Sequence, residues 1–486
     1  TVERLDTLGK MDFTVPASLK ATMRGYQVDG YQWLGSLEHL GLGGILADDM
    51  GLGKTLQMIA HILARVEAGD TKPTLVVCPA SLVYNWTAEL ERFAPSLDVC
   101  AIVGAKAQRR VQIAGVAEHS VVVTSYDLMR RDIDEYVERD FARVVLDEAQ
   151  YIKNPLTQVA RAAKRLPAGV RFALTGTPIE NRLSELWSIF DFLMPGLLGT
   201  RESFAKRFES PVEHAEGDSA ARLQALVSPF VLRRVKEDVV ADLPEKIEDT
   251  VMAQLTGEQR KLYLANQDRI AQQVQHREAG EFKKDKLKVL AELTKLRQIC
   301  CDPRLHYEDY KAGSAKLDTC MELVHGALDG GHRILLFSQF TGMLDIIGKR
   351  LAKEDIAFLK LTGASSKESR AKMVAQFQAG EVPVFLISLK AGGVGLNLTA
   401  ADVVIHYDPW WNVAAQDQAT DRAHRIGQQH TVTVYKLIAK DTIEERIMQM
   451  QESKRDLVNS VLGGDGISSA LFTREDVLAL LGGDGR

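Results

Sequence analysis

The chain has 486 residues, a length that suggests about three domains of roughly 150 residues each. Hydrophobic residues make up 45% and charged residues 26% of it, which is ordinary for a globular protein and excludes a disordered, collagen-like or coiled-coil chain. With 60 basic against 65 acidic residues the net charge is −5, so a wholly basic nucleic-acid binder is excluded, whereas a local basic groove is not.

Short β-branched runs alternate with helical stretches twice along the chain. The runs of the first half are residues 75–78, 121–124, 144–147 and 172–175, and those of the second half are 334–337, 384–387, 403–406 and 432–435. Nearly continuous apolar runs separated by helices predict parallel strands that are buried on both faces. We therefore expect an α/β protein with two open parallel sheets, whose ligands bind at the carboxyl ends of the strands.

A segment of different character separates the two predicted sheets. From about residue 180 to residue 316 the sequence is charged, helical in pattern and poor in strands. The predicted domains are an N-terminal lobe (1–180), a helical protrusion with a connector (181–245), a second helical protrusion (246–315), a C-terminal lobe (316–455) and a tail with a short helix (456–486).

The start of the chain and its cysteines carry neither a targeting pattern nor a disulfide pattern. The first residues carry no basic-then-apolar signal. The chain begins with Thr1 and not with an initiator methionine, so we expect it to be a piece of a longer protein. No apolar run reaches the ~18 residues of a membrane span. The five cysteines form no C-x-x-C pair, so we expect buried thiols in a reducing, cytoplasmic compartment and no membrane partner.

The strongest local motif is a glycine-rich segment between the apolar run 44–47 and the helical residues 56–60. Glycines let backbone N–H groups surround phosphate oxygens, and the N-terminus of the following helix adds positive charge. Lys54 is expected to reach the β- and γ-phosphates of a nucleotide, and the Thr55 hydroxyl is expected to hold Mg²⁺. A turn without a ligand is the alternative. The nucleotide-binding candidates are Asp48, which replaces the usual first glycine, Asp49, Met50, Gly51, Leu52, Gly53, Lys54 and Thr55.

A second motif supports nucleotide chemistry. An apolar run ends in Asp147 and Glu148, so Asp147 is expected at the sheet edge as a metal ligand, and Glu148 as the group that orients and deprotonates the attacking water. Alone, such a pair is usually a surface turn. Together with the glycine-rich loop it favours ATP and Mg²⁺ as cofactors. Upstream, Gln27 is a candidate to read an adenine edge through its amide.

The second half supplies further candidates. Hydrolysis needs a cation for the charge that develops on the γ-phosphate. Arg422 and Arg425 are three residues apart, so on a helix they share a face, and two guanidinium groups suit a phosphate. Surface salt bridges are the alternative. The glycine-rich segment 388–397 offers Lys390 and Gly395, which we expect to contact ATP, DNA phosphate or both.

At this point the order of motifs resembles the Snf2 (SWI/SNF) family of superfamily 2 helicase-like ATPases. The matching blocks are residues 24–27, 48–55, 75–86, 123–127, 147–150, 174–178, 334–340, 388–397 and 418–428. Residues 230–239 resemble the family's inter-lobe stretch. One departure is Gln150, where many relatives have His, so coupling to DNA is expected to be tuned differently.

The resemblance implies two RecA-like lobes that bind Mg·ATP between them, with helical protrusions inserted between the lobes. It implies a DNA-dependent ATPase that moves along double-stranded DNA and remodels or displaces protein–DNA complexes without strand separation. The DNA-facing candidates by family position are Ser81, Asn85, Trp86, Thr124, Ser125 and Lys390. A monomeric, nucleoid-associated bacterial or archaeal member is expected, with contacts mainly to DNA phosphates.

Two other interpretations stay open. One is a strand-separating helicase of the same superfamily, which efficient opening of a forked duplex would favour. The long helical insert argues against it by resemblance. The other is a regulator that docks on a partner such as RNA polymerase, with ATPase activity secondary to binding.

Overall fold

The structure, a computed structural model, describes residues 13–176, 183–209, 219–239, 244–275, 279–389, 396–410, 413–425 and 427–449. Lys390, Gly395 and the predicted tail lie outside these residues. The chain divides into two compact units, whose described parts are 13–239 and 244–449. The predicted domain boundaries stay predictions.

The first unit is built on a parallel sheet of seven strands. The strands are β1 (Gly44–Leu46), β2 (Thr74–Cys78), β3 (Val99–Ala101), β4 (Val121–Ser125), β5 (Arg143–Asp147), β6 (Val170–Leu174) and β7 (Val231–Leu232). The α-helices are α1 (Gly25–His39), α2 (Lys54–Glu67), α3 (Val83–Phe93), α4 (Lys106–Ala114), α5 (Tyr126–Arg131), α6 (Ile133–Tyr136), α7 (Gln158–Arg165), α8 (Leu183–Leu193), α9 (Arg201–Phe204), α10 (Ser219–Val227) and α11 (Lys236–Val239). The strand order is β3-β4-β2-β5-β6-β1-β7.

The second unit carries a parallel sheet of six strands. They are β8 (Lys246–Gln254), β9 (Ile334–Ser338), β10 (Phe358–Leu361), β11 (Val384–Ser388), β12 (Val403–His406) and β13 (Val432–Lys440). The α-helices are α12 (Gly257–Gln275), α13 (Ala279–Cys301), α14 (Ala315–Asp329), α15 (Thr341–Lys353), α16 (Lys367–Gln378) and α17 (Val413–Thr420). The strand order is β10-β11-β9-β12-β13-β8.

Both faces of the second sheet are covered by apolar layers. Ile334 and Leu336 of β9 belong to one buried cluster, and Leu335 and Phe337 belong to another. Because successive side chains of a strand point to opposite faces, a strand covered on both sides needs an unbroken apolar run, which is what the sequence has. The predicted fold class, an α/β protein with two parallel-sheet lobes and helices between them, is confirmed.

The runs predicted from the sequence miss four strands, and all four lie at sheet edges: β3, β7, β8 and β10. β8 lies at the end of the strand order and pairs with β13, and most of its residues are exposed, so it lacks the apolar run of a central strand. β7 is two residues long and pairs with β1. In the described part of the chain, no helix combines the length and the apolar character that crossing a membrane requires.

A buried charge network lies at the amino ends of β2 and β5. The fully buried Arg143 guanidinium donates to Glu38 Oε1 at 2.8 Å and to Thr74 Oγ1 at 3.0 Å. His61 Nε2 lies 2.6 Å from Glu38 Oε2. Burial raises the pKa of Glu38, but the hydrogen bonds from His61 and Arg143 outweigh it and lower that pKa to about 2. The Glu38 carboxylate therefore ties α1 and α2 to the first sheet.

This network predicts acid-dependent stability. A carboxyl whose pKa falls on folding stabilises the folded state above its ordinary pKa and loses that effect as pH falls towards the folded value. A shift of this size corresponds to roughly 3 kcal/mol. We expect Glu38→Gln to lower the free energy of unfolding at neutral pH and to flatten its decline between about pH 5 and pH 3, as measured by urea unfolding. Glu135→Gln, in an exposed pair with Arg110, is the matched control, and equal effects of both changes would contradict the prediction.

Candidate nucleotide-binding site

The glycine-rich segment forms a loop between β1 and α2, at the carboxyl edge of the first sheet. Gly51 and Gly53 adopt φ of 89° and 82°, a left-handed conformation that residues with a Cβ rarely adopt. Gly53 is the N-cap residue of α2, so the first free N–H groups of this 14-residue helix face the loop. The local geometry is that of an anion-binding turn.

Lys54, the first residue of α2, is held by the loop itself. Its Nζ atom donates to the carbonyl oxygen of Asp48 at 2.5 Å and to that of Asp49 at 3.3 Å. Burial lowers the pKa of the Lys54 ammonium, and the nearby carboxylates, Glu148 first among them, oppose this shift. Lys54 and the acidic pair after β5 therefore share one electrostatic environment, as the sequence predicts for a phosphate site.

Gln27 links helix α1 to the same loop. Its Oε1 accepts from the Arg24 N–H at 2.9 Å, and its Nε2 donates to the Leu52 carbonyl at 3.0 Å. The Tyr26 hydroxyl donates to that carbonyl at the same distance, 3.0 Å. The amide of Gln27 thus fastens the loop to α1 in this structure. Its predicted contact with adenine stays a prediction.

The two acids predicted for metal binding and water activation follow β5. Asp147 Oδ2 accepts from the Trp86 indole at 2.8 Å, and Asp147 Oδ1 accepts from the Glu148 N–H at 3.0 Å. Glu148 has φ 52° and ψ 55°, which is uncommon for a residue with a side chain and typical of functional turns. Two successive carboxylates, those of Asp147 and Glu148, thus lie at the carboxyl end of β5.

Charge is unbalanced at this edge. Burial and the neighbouring Glu148 carboxylate raise the pKa of Asp147 to about 7, although the Trp86 hydrogen bond and Lys54 lower it. A carboxyl held so close to protonation is one that a divalent cation would stabilise in its charged form. Among the described residues no cluster of three or more metal-ligating side chains occurs. A site with one carboxylate fits Mg²⁺, which is usually bound by one or two carboxylates plus phosphates and water.

Gln150 holds the second acid. Its Nε2 donates to Glu148 Oε2 at 2.7 Å, and its Oε1 accepts from the Thr175 hydroxyl at 2.9 Å. Thr175 follows β6, and its N–H donates to the Leu46 carbonyl at the end of β1. A neutral amide thus connects Glu148 to two neighbouring strand ends without adding charge. The sequence singled out Gln150 as a departure from the family pattern and did not predict this contact.

Of the DNA-facing candidates in the first unit, two are exposed to solvent and three are buried. Ser81 and Asn85 are exposed at the start of α3. Trp86 is only 1% exposed, and its indole reaches Asp147. Thr124 and Ser125 are also buried: the Thr124 hydroxyl donates to the Ile102 carbonyl and Ser125 caps α5. The polar groups of these three residues are used inside the unit in this structure, and their predicted DNA contacts stay predictions.

Arg422 and Arg425 belong to the second unit, and the prediction that they share one helix is wrong. Helix α17 ends at Thr420, and both arginines lie in the turns that follow. The Arg422 carbonyl accepts from the Leu398 N–H, and Arg425 Nη1 donates to the Leu396 carbonyl at 3.5 Å. The Arg422 carbonyl is thus used by a tertiary hydrogen bond from the segment before β12, while local hydrogen bonds such as that from the His424 N–H to the Thr420 carbonyl hold the turns. Their predicted role on the γ-phosphate stays a prediction.

Comparisons with known proteins agree with this chemistry. A family model described as the SNF2-related domain matches residues 26–305, and one described as the helicase conserved C-terminal domain matches residues 315–427. Together they cover both units.

The most similar curated proteins include bacterial ones. The chain is 42% identical over 474 residues to the putative ATP-dependent helicase/translocase YwqA of Bacillus subtilis, covering 95% of this chain and 51% of that protein. It is 39% identical over 461 residues to an uncharacterized ATP-dependent helicase of Mycoplasma pneumoniae, covering 94% of this chain and 44% of that protein. The chain thus spans about half the length of the curated relatives it matches.

One solved structure is similar over nearly the whole chain. It is the SWI2/SNF2 ATPase core of Sulfolobus solfataricus in complex with double-stranded DNA, which shares 38% identity, covers 93% of this chain and 95% of that chain, and has a TM-score of 0.49.

The raised pKa of Asp147 predicts a pH dependence of cation-dependent nucleotide binding. Protons compete with the cation for this carboxylate, so binding should strengthen from about pH 6 to about pH 8 and then level off. Trp86→Phe removes the hydrogen bond that lowers this pKa, so the rise should move to higher pH. The measurement is titration of a fluorescent ATP analogue with Mg²⁺ present, and the same titration in EDTA is the control. Identical profiles for both proteins would contradict the role given to the indole.

Proposed function

The chain belongs to the SNF2 family, and on this premise we propose that it hydrolyses ATP to move along double-stranded DNA without separating the strands. The observation that carries the proposal is the shared environment of Lys54, Asp147 and Glu148 at one sheet edge. It contains a phosphate-binding cation, a metal ligand and a base, which are the parts that phosphoryl transfer to water requires.

Each group of the first unit has a role in this reaction. Lys54 exchanges its two backbone carbonyls for the β- and γ-phosphates of ATP. Thr55 and Asp147 would hold Mg²⁺, which neutralises phosphate charge when bound. Glu148 orients the attacking water and takes its proton, and the hydrogen bond from Gln150 keeps that carboxylate aimed.

The second unit completes the reaction in this proposal. Arg422 and Arg425 supply positive charge to the γ-phosphate as it leaves, and Gly395 lies in the nucleotide contact predicted from sequence. Hydrolysis then depends on both units, so a cycle of ATP binding and product release can drive relative motion of the two along DNA.

Helix α3 offers a physical link between DNA and the site. The exposed Ser81 lies just before it and the exposed Asn85 in its first turn, and the next residue is Trp86, whose indole donates to Asp147 at 2.8 Å. A DNA phosphate bound at the exposed end would bias the position of α3 and, through the indole, of the metal ligand. DNA-dependent turnover follows from this arrangement.

The proposal is tested by ATP turnover of the chain with and without duplex DNA, followed by triplex displacement and by opening of a forked duplex. We expect duplex DNA to stimulate turnover and the triplex strand to be displaced, while the fork stays paired. Lys54→Ala is expected to abolish turnover, and Glu148→Gln to bind ATP without hydrolysing it. Efficient fork opening would favour the strand-separating helicase instead, and stimulation by RNA alone would contradict the assignment.

A second prediction concerns the contribution of the second unit. Arg425→Ala is expected to lower DNA-stimulated turnover by about 10³–10⁵, as for other arginines that stabilise a transferring phosphoryl group, while nucleotide binding is largely kept. Single-turnover hydrolysis measures this effect. Arg350→Ala, which breaks an ion pair with Glu354 on α15, is the control in the same unit. Normal turnover of Arg425→Ala would exclude this arginine from the reaction.

A further inference from the structure

The connector, residues 230–239, is hydrogen-bonded to the strand and to the first residues of the phosphate loop. Strand β7 pairs with β1, with Ile45 opposite Val231 and Leu46 opposite Leu232. The backbone pairing continues past both strands, because the Ala47 N–H donates to the Leu232 carbonyl at 2.7 Å and the Asp49 N–H donates to the Arg234 carbonyl at 2.9 Å. Backbone pairing between the connector and the first sheet thus extends from β1 into the start of the phosphate loop.

Arg234 extends this contact through its side chain. Its Nε donates to Asp48 Oδ1 at 2.8 Å, and its Nη2 donates to Asp48 Oδ2 and, at 2.8 Å, to Gln57 Oε1. Nη1 donates to the Tyr26 carbonyl, and the guanidinium lies 5.3 Å from the centre of the Tyr26 ring. One arginine therefore joins the connector to α1, the phosphate loop and α2.

Asp48 contacts both Arg234 of the connector and Lys54 of the phosphate loop. Its carboxylate is fully buried and is bound by Arg234 and by Gln57 Nε2 at 3.2 Å. Its carbonyl accepts from Lys54 Nζ. The residue that replaces the usual first glycine of the motif thus holds the phosphate-binding lysine on one side and the connector on the other.

On helix α1, the lack of a side chain at Gly30 leaves space for the side chains of Gln57 and Arg234. A Cβ atom there would lie 1.9 Å from Gln57 Oε1 and 2.6 Å from Arg234 Nη2. Both atoms are the far ends of flexible side chains, so an alanine at this position is accommodated by moving them. The position allows the contact to be disturbed while Arg234, Asp48 and Gln57 are all retained.

We propose that Arg234 is a positioning residue for the phosphate loop, through which the connector controls nucleotide affinity. The bidentate pair with Asp48 fixes the loop in the conformation that presents its N–H groups and Lys54 to phosphate. Displacement of the connector from β1 and Asp48 therefore loosens the loop and releases nucleotide. The inference rests on the proposed ATPase function and names a regulator of that same site.

A general loss of stability is the competing explanation, because removing one partner of any buried ion pair leaves an uncompensated charge. The chain offers a matched pair for comparison. Arg109 and Asp132 also form a buried bidentate contact in the first unit, with Nε to Oδ2 at 2.5 Å and Nη2 to Oδ1 at 2.9 Å. That pair joins α4 to the segment before α6 and makes no contact with the phosphate loop.

The experiment compares Arg234→Met with Arg109→Met in the full chain. A fluorescent, non-hydrolysable ATP analogue with Mg²⁺ reports the dissociation constant directly, and differential scanning calorimetry reports stability. We expect both variants to lose thermal stability, but only Arg234→Met to bind the analogue at least about tenfold more weakly. Its loss of kcat/KM should lie mainly in KM. Arg234→Lys, which keeps the charge and loses the planar fork, should recover binding only partly.

Three further variants keep the test decisive. Asp48→Asn should weaken binding similarly, and the double variant with Arg234→Met should weaken it by less than the product of the two single effects. Gly30→Ala should weaken binding several-fold with a smaller loss of stability than Arg234→Met, because it shifts the contact and retains all three side chains, and it tests the contact even if Arg234→Met fails to fold. Wild-type affinity in Gly30→Ala and Arg234→Lys, or equal affinity of Arg234→Met and Arg109→Met, would overturn the proposal.

Failure of the wild-type chain to bind the analogue, with no difference from Lys54→Ala, would instead overturn the ATPase function on which it rests.

Discussion

Two carboxylates and one ammonium meet at the carboxyl edge of the first sheet, and their charges do not balance. Asp147 and Glu148 leave β5 together, while Lys54 begins the helix after β1. Parallel strands bring these ends to one edge, and burial removes the water that would screen them. Burial, together with the neighbouring Glu148 carboxylate, holds the pKa of Asp147 near neutrality. Binding of a cation together with phosphate relieves this surplus, so the edge is built for a ligand that carries both.

The neighbouring side chains preserve that surplus. Trp86 and Gln150 position the two acids with neutral N–H donors, which orient carboxylates without cancelling their charge. Asp48 would add a third acid to the edge, but it is buried against Arg234, and the pair is neutral as a whole. Asp147 and Glu148, the two acids proposed to meet the ligand, accept hydrogen bonds from the neutral side chains of Trp86 and Gln150. Asp48, which supports the loop, is instead paired with the Arg234 guanidinium.

The two units use buried ion pairs to fasten peripheral elements to their sheets. In the first unit, Arg143 and Glu38 tie two helices to the amino ends of β2 and β5. In the second, Lys316 of α14 pairs at 2.5 Å with Glu444, which also accepts from the Ala439 N–H. Helices α12 and α13 share a buried apolar cluster with Ala439 and Ile443, so this part of the helical insert packs on the second unit. The Arg143–Glu38 pair lies at the amino ends of its strands, opposite the edge that carries Lys54, Asp147 and Glu148.

The sequence by itself determined the two parallel sheets and the loop of Lys54, because apolar runs and glycine spacing are local properties of the chain. It did not predict the edge strands, such as β8, whose position requires no apolar run, or the end of α17 before Arg422, whose carbonyl accepts from the distant Leu398 N–H. Only the tertiary structure decided that Trp86 faces Asp147 and that Arg234 binds Asp48. The partners of these pairs are separated by 61 and 186 positions, and no local pattern encodes a contact that folding creates between distant parts of a chain.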